Sequence, residues 1–415
     1  MNLGIDSAWS KNNALDLLYP VRNPHNSRAL RAYQHLGLYL SHPGDLVILP
    51  WLPDPEFLSW QQQLGLSFGK AIVVQEAEYN EAWEDELREI ASQHTGKYTP
   101  IFAGLSDAEV KISDFFSIQG LAKEKVDVFS KLNRKDYVFQ LCKEESIPFP
   151  VSQLVDPIEW KSWSGANAGL PAFLKAPHSS GGGGLLEIKI ESDPILSHVE
   201  RIFLKFKIQE KWLLQKKYKK VADYSVCYEL QNGEVIPKAA FEISYGRNRS
   251  SWRHKRIPPK GELDFFISAG KRIGMRLASE AFSGAFALDG FKAETGEVFP
   301  AVDLNARFDK ARLIHAAAER YGMADSSYES RLLRIANSRG AYFSEWYERV
   351  SKALDHPFYP YHLGGGISPS LDPKQFELSY FLPESCRDPG KSAATIANLS
   401  LAVFGGELMD HGNDR

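Results

Sequence analysis

Four side chains in the run GAFALDGFKAETGEVFPAVDLNAR, residues 284–307, are suited to chemistry with a metal ion and phosphate groups: Asp289, Asp303, Asn305 and Arg307. Asp303, Asn305 and Arg307 are spaced by two, the period at which strand residues return to the same face. The polar turn Glu294-Thr295-Gly296-Glu297 predicts a hairpin that brings Asp289 alongside them. Two carboxylates and an amide oxygen suit a hard cation such as magnesium, and a guanidinium matches phosphate geometry. As a core face the same set is poor, because buried charge is costly without partners.

A second constellation lies upstream. Lys175 ends an apolar run and is followed by Ser179, Ser180 and the consecutive glycines Gly181, Gly182, Gly183 and Gly184. Consecutive glycines carry a large entropic cost in a plain hairpin. Their backbone N–H groups can approach phosphate oxygens closely, and two hydroxyls add donors. A flexible hairpin tip is the alternative. The order differs from the Gly-x-x-x-x-Gly-Lys-Ser/Thr pattern, since the lysine precedes the glycines. A third cluster, Arg247, Arg249, Arg253, His254, Lys255 and Arg256, is expected in a loop between Phe241 and Pro258. A solvent-exposed charge run, an anion-facing loop that closes over phosphates or an acidic substrate, and a nucleic-acid patch are the three readings. The small net charge of −3 weighs against the last.

The elements that must position these groups follow from pattern. At 415 residues the chain is expected to hold two or three domains. Residues 27–40 repeat apolar side chains at helical spacing and stop at Pro43-Gly44; a buried strand is expected at 45–51, a helix at 55–64, a strand at 70–75 and a charged amphipathic helix at 80–94. Such alternation predicts an α/β layer with a parallel sheet over residues 1–122. A continuous helix is expected from Phe129 to the proline pair at 148–150, then strands near 169–177 and 185–190, a helix at 193–208, and strands at 211–218 and 223–230. A long amphipathic helix over 261–283 leads into the hairpin; after Arg307 come a helix near 313–320 and a helical stretch over 327–354. The last residues, 409–415, are expected to be disordered.

Cys142, Cys227 and Cys386 are too scattered for a disulfide framework or zinc pattern and are expected as small buried hydrophobes. No stretch suggests a signal peptide or a membrane span, so an intracellular, cytoplasmic protein is expected, with no nucleic-acid or membrane partner.

In order, these landmarks resemble the ATP-grasp superfamily of carboxylate–amine and carboxylate–thiol ligases over residues 126–325. Lys135 stands ahead of Ser146-Ile-Pro-Phe-Pro150; Lys175 precedes the glycine loop; the segment Leu214-Gln-Lys-Lys-Tyr218 is followed by Asp223; and the acidic hairpin closes the series. The segment Pro43-Gly-Asp-Leu-Val-Ile-Leu49 and its sequel resemble the domain ahead of ATP-grasp modules in natural-product peptide ligases. The resemblance implies an α/β fold: an N-terminal Rossmann-like domain at 1–122, a two-subdomain α+β ATP-grasp domain at 123–330 with its smaller subdomain at about 150–220, and a C-terminal extension at 331–415 packed upon it. It implies ATP and magnesium, or manganese in its place, as cofactors. Lys135 and Lys175 would contact the α- and β-phosphates, and residues 179–184 would fold over the β- and γ-phosphates. Lys216 and Tyr218 would meet the adenine edge through backbone groups, with Gln215 beside the exocyclic amine, and Asp223 would bind the ribose. Asp289, Asp303 and Asn305 would hold the metal, and Arg307 would steady the transferring phosphoryl group.

The implied activity is amide-bond formation between a small carboxylate and an amine through an acyl phosphate, with release of ADP and phosphate. Phosphorylation of a hydroxyl or enol oxygen, and a regulatory ATP-binding protein without turnover, are the alternatives. A homodimer is common among such ligases. Two positions depart from the family pattern: Asp303 stands where glutamate is usual, and Ala287 where related ligases often carry arginine. The substrate carboxylate is therefore expected at Arg247, Arg249, Arg253 or Arg256.

Overall fold

A long antiparallel sheet carries most of the candidate site. The computed structural model describes residues 33–49, 51–73, 82–94, 107–116, 123–156, 171–178, 185–189, 194–206, 210–245, 252–257, 261, 263–336, 341–364 and 375–408. Its strands, in chain order, are β1 (Leu46–Leu49), β2 (Lys70–Val73), β3 (Ser152–Val155), β4 (Ala172–Lys175), β5 (Leu185–Ile188), β6 (Trp212–Lys216), β7 (Lys220–Gln231), β8 (Glu234–Tyr245), β9 (Trp252–Arg256), β10 (Gly284–Ala293), β11 (Val298–Asn305), β12 (Tyr328–Ala336), β13 (Tyr359–Gly364), β14 (Gln375–Pro383) and β15 (Glu407–Leu408). The large sheet runs β11-β10-β7-β8-β9-β12-β14-β13, with β15 beside β12; a four-stranded sheet runs β3-β6-β4-β5; β1 and β2 form a parallel pair.

The helices are α1 (Pro55–Gln63), α2 (Ala82–His94), α3 (Asp107–Phe115), α4 (Lys123–Leu132), α5 (Lys135–Glu144), α6 (Pro194–Phe206), α7 (Leu263–Ser279), α8 (Lys310–Arg320), α9 (Phe343–Ala353) and α10 (Pro389–Phe404). Local chemistry fixes their ends. Asp54 caps α1 by accepting from the Phe57 amide, with proline in the first turn. Asp388 and Pro389 repeat that arrangement in α10, which stops at Gly405, a residue of positive φ.

Helices cover both faces of the large sheet. On one face α7 packs Phe266, Ile273 and Leu277 against Tyr228, Val226 and Phe286, with Val138 and Leu141 of α5 in the same core. Each such side chain contributes roughly 1.5–3 kcal/mol on burial. Gly270 is required here, because a Cβ at that position would lie 2.1 Å from the Tyr228 ring. On the other face Leu313, Ile314 and Ala317 of α8 pack with Cys227, Phe241 and Ala287, and with Leu36 and Tyr39 of a 3-10 helix, Tyr33–Leu40. Coverage on both sides explains why β7 is buried at consecutive positions rather than alternate ones. The three cysteines are free and buried.

Three expectations are corrected. The helix expected from Phe129 onward is two helices, α4 and α5, broken at Asn133 and Arg134. Neither glycine nor proline marks the break. The Asn133 amide instead donates to the Phe129 carbonyl, and the Lys135 backbone N–H donates to the Pro177 carbonyl at 2.8 Å, which turns the chain. The helical stretch expected over 327–354 begins as strand β12, and only 343–353 is helical. Tyr328, Leu332 and Ile335 satisfy helical spacing in a segment of good helix formers, but pairing with β9, β14 and β15 overrides that propensity. Finally, Arg253, His254, Lys255 and Arg256 lie in strand β9 between β8 and β12, not in a loop. The expected disordered tail, 409–415, lies outside the described residues.

Candidate active site

The site is built on β10 and β11. Their register sets Asp289 directly opposite Asp303, and Asp289 opposite Ser225 of β7 on its other side, so Asp303, Asp289 and Ser225 form one row across three strands. Asp223 lies two residues from Ser225 on the same face, opposite Phe291. The register shifts between Asp289 and Phe291, at Gly290. There a Cβ would meet the Phe299 carbonyl oxygen at 2.3 Å, so glycine is what lets the two strands close beside the carboxylates.

Hydrogen bonds tie the row together. Asn305 donates through Nδ2 to Asp289 Oδ2 at 3.1 Å, and its Oδ1 accepts from Arg307 at 3.0 Å. A second Arg307 nitrogen donates to Asn133 Oδ1 at 3.2 Å, and the same oxygen accepts from the Ala306 amide at 3.0 Å. Asn133 is only 2% exposed. The break between α4 and α5 therefore presents the amide that orients the guanidinium. From the first turn of α5, the buried Lys135 ammonium pairs with Asp303.

Burial, followed by the nearby Asp303 and Asp309 carboxylates, pushes the Asp289 acid up to about 7; the Ser225 hydroxyl and the Lys135 ammonium pull the other way. Crowded carboxylates of this kind favour a cation or a proton between them. Among the described residues, no group of three or more His, Cys, Asp or Glu could hold a metal ion. Two carboxylates and an amide oxygen are a donor set that would suit a hard cation such as magnesium.

The expected nucleotide-binding residues come from both sheets. Lys175 ends β4, opposite Leu185 and Leu213, and the carbonyl of Pro177 just beyond it holds the start of α5. Lys135 and Lys175 are thus tied to one short segment. Gln215, 3% exposed, is opposite Ser152 and donates to its hydroxyl at 3.3 Å. The Lys216 amide donates to the Val151 carbonyl. Tyr218 packs its ring on Phe299 and Phe291, with centroids 5.0 and 6.1 Å away. Asp223 accepts from Lys220 at 2.6 Å. The loop residues Ser179, Ser180, Gly181, Gly182, Gly183 and Gly184 lie outside the described residues, as do Arg247 and Arg249.

Of the arginines expected to hold a substrate carboxylate, the two that are described, Arg253 and Arg256, do not share a face. Strand alternation puts Arg253 and Arg256 on opposite faces of β9. Arg253 pairs with Glu329 at 3.5 Å, and Arg256 donates to the Ile257 carbonyl. Sequence reasoning passed over Asn133 and Asp309. The latter caps α8 by accepting from the Arg312 amide at 2.9 Å, and burial raises its carboxyl above the usual range, opposed by that amide and by Arg307. An Asp one residue ahead of a helix was the available signal for Asp309. Asn133 carried none.

No family model matches the sequence, and no curated protein matches it. Solved structures do. An N5-carboxyaminoimidazole ribonucleotide synthetase bound to ADP superposes with a TM-score of 0.54 at 15% identity, over 88% of this chain and 93% of that one. A biotin carboxylase from Campylobacter jejuni gives 0.57 at 12% identity, over 92% and 90%. An L-amino acid ligase from Bacillus licheniformis gives 0.51 at 9% identity, over 94% and 95%. At these identities the likeness establishes the fold: the chain has the mixed α/β architecture of ATP-grasp enzymes. No described helix is long and apolar enough to cross a membrane.

Proposed function

We propose that this protein is an ATP- and magnesium-dependent ligase that joins a small carboxylate to an amine through an acyl phosphate, releasing ADP and phosphate. The observation that carries this reading is the row of Asp303 and Asp289, bonded through Asn305 to Arg307 and flanked by the Lys135 ammonium. Phosphoryl transfer needs positioning and charge neutralisation more than a general base, and this group supplies both. Folds of the same kind occur in an ADP-bound synthetase and an L-amino acid ligase, which supports ATP use and carbon–nitrogen bond formation.

In this reading Asp289, Asp303 and Asn305 would hold magnesium, which when bound would supply Lewis-acid neutralisation of the phosphate oxygens. Lys135 and Lys175 bind the phosphate chain. Asn133 keeps the Arg307 guanidinium turned toward the transferring phosphoryl group and the acyl phosphate formed from it. The substrates are small molecules.

The test is ADP release from purified protein, ATP and magnesium across a panel of carboxylic acids, with hydroxylamine present to trap an acyl phosphate. ADP formation that depends on one acid, together with its hydroxamate, is the expected result. AMP as the product overturns the reading.

A further inference from the structure

Ser225 is the third member of the row that holds Asp303 and Asp289, and neither the acidic hairpin nor the phosphate-binding residues account for it. Register sets it directly opposite Asp289 on β10 and opposite Phe241 on β8. Directly paired strand residues share a face, so the serine lies on the side of the sheet that carries the two carboxylates. It is 1% exposed, and its neighbours along β7, Tyr224 and Val226, are buried as well.

Two observations separate this serine from one that merely fills space. The first is that its Oγ is buried and has no hydrogen-bond partner among the described residues. Phe241 offers none, and Asp289, although near enough for the hydroxyl to favour its ionised form, does not meet it at hydrogen-bonding geometry. A buried hydroxyl in this state costs about 1–3 kcal/mol, which alanine would avoid. The second is how the rest of the row is bonded. Asn305 turns Nδ2 toward Asp289 Oδ2 and shares Oδ1 with Arg307, while Asp303 pairs with Lys135. Asp289 is thus bonded on its β11 side, and Ser225 sets an unengaged oxygen beside it on the β7 side. A hydroxyl next to a carboxylate is a neutral, hard ligand of the kind that phosphate-linked magnesium takes from serine or threonine.

We infer that Ser225 is a further ligand of the cation assigned to this row, its Oγ joining Asp289, Asp303 and Asn305 in an all-oxygen donor set. This deepens the ligase reading above and rests on its placement of the metal. Such a set suits magnesium or manganese and disfavours softer ions.

Manganese(II), titrated into the full chain with ADP present and followed by loss of the free-ion EPR signal, tests the inference without turnover. Ser225→Ala is expected to weaken manganese about tenfold, and Asp289→Asn, the reference for a lost ligand, at least as much. Ser225→Cys is expected to bind cadmium more tightly than the wild type does, with a cadmium–thiolate absorption beyond any in the wild type. Urea unfolding without metal or nucleotide separates this role from a structural one. There Ser225→Ala should be at least as stable as wild type, since it removes an unpartnered hydroxyl. Wild-type manganese affinity in Ser225→Ala, a metal-free variant less stable than wild type, or no manganese binding by the wild type overturns the assignment. Manganese binding that depends on Ser225, with no acid-dependent ADP release, would instead overturn the ligase reading and leave the assignment standing.

Discussion

Lys135 and Asp303 form an ion pair between the first turn of α5 and the second strand of the acidic hairpin, 168 positions apart in the chain. The lysine side chain is 8% exposed and the aspartate 25%, so the ammonium depends on this carboxylate more than the reverse. Asp303→Ala strands that ammonium and is expected to destabilise the fold by roughly 2–3 kcal/mol, below the full cost of breaking a buried pair because the aspartate is partly solvated. Urea unfolding measures the loss, and acid-dependent ADP release should disappear in the same variant. A wild-type unfolding midpoint for Asp303→Ala would show the pair to be energetically idle.

In the proposed reaction Asn133 would act as a positioning residue, through Arg307 and the Ala306 amide. Asn133→Ala is therefore expected to lower kcat by about tenfold to a hundredfold, the scale of one lost hydrogen bond to a charged group that acts in the transition state. The KM for ATP should change little. A variant with an altered KM and wild-type kcat would assign Asn133 to binding rather than to orientation.

Gly290→Ala tests the close approach of β10 and β11 beside Asp289. The added Cβ meets backbone atoms on the partner strand, at 2.3 Å from the Phe299 carbonyl oxygen and 2.8 Å from the Pro300 carbonyl carbon, so the strands must part. A destabilisation of about 3 kcal/mol or more is expected, at the upper end for overpacking. Gly296→Ala, in the turn of the same hairpin, meets no atom within 4 Å and is strained only by its φ of +91°. That variant should cost about 1 kcal/mol. Comparable melting temperatures for the two would refute the packing argument.

Buried histidines set an acid limit on stability. Burial lowers His35 from 6.5 to about 4 and His254 to about 3; the Trp51 carbonyl partly offsets the first shift, and Lys310 adds to the second. Between pH 6.5 and about 4 the unfolded chain binds more protons at these positions than the folded one. Stability therefore falls as pH drops through that window, and each histidine contributes about 1.4 kcal/mol per unit. Chemical denaturation at pH 7.5 and pH 5.5 should show the loss, and His254→Gln should reduce the slope. An unchanged midpoint across the two pH values would contradict it.

The acidic hairpin was legible in the sequence because everything that specifies it is local: side chains at period two, a polar turn, and a ligand set spaced along one strand. Asn133 was not, since its role depends on meeting Ala306 and Arg307, 173 and 174 residues away. The basic run 253–256 looked like a loop because its charges hide a strand whose neighbours, β8 and β12, are known only once the sheet is assembled. Strand β12 was misassigned for a related reason, as its leucines and arginines favour a helix until three partners bind its edges.

The pairing of β9 with β12 also constrains synthesis. While the first 327 residues emerge, β9 has its partner β8 on one side and nothing on the other, and an uncovered edge strand is a template for association with other chains. The sheet closes only when residues 328–336 leave the ribosome, after both lysines, the glycine loop and the acidic hairpin have already been made. A message cut short before that point would yield a chain that carries every expected nucleotide-binding residue yet is prone to aggregate.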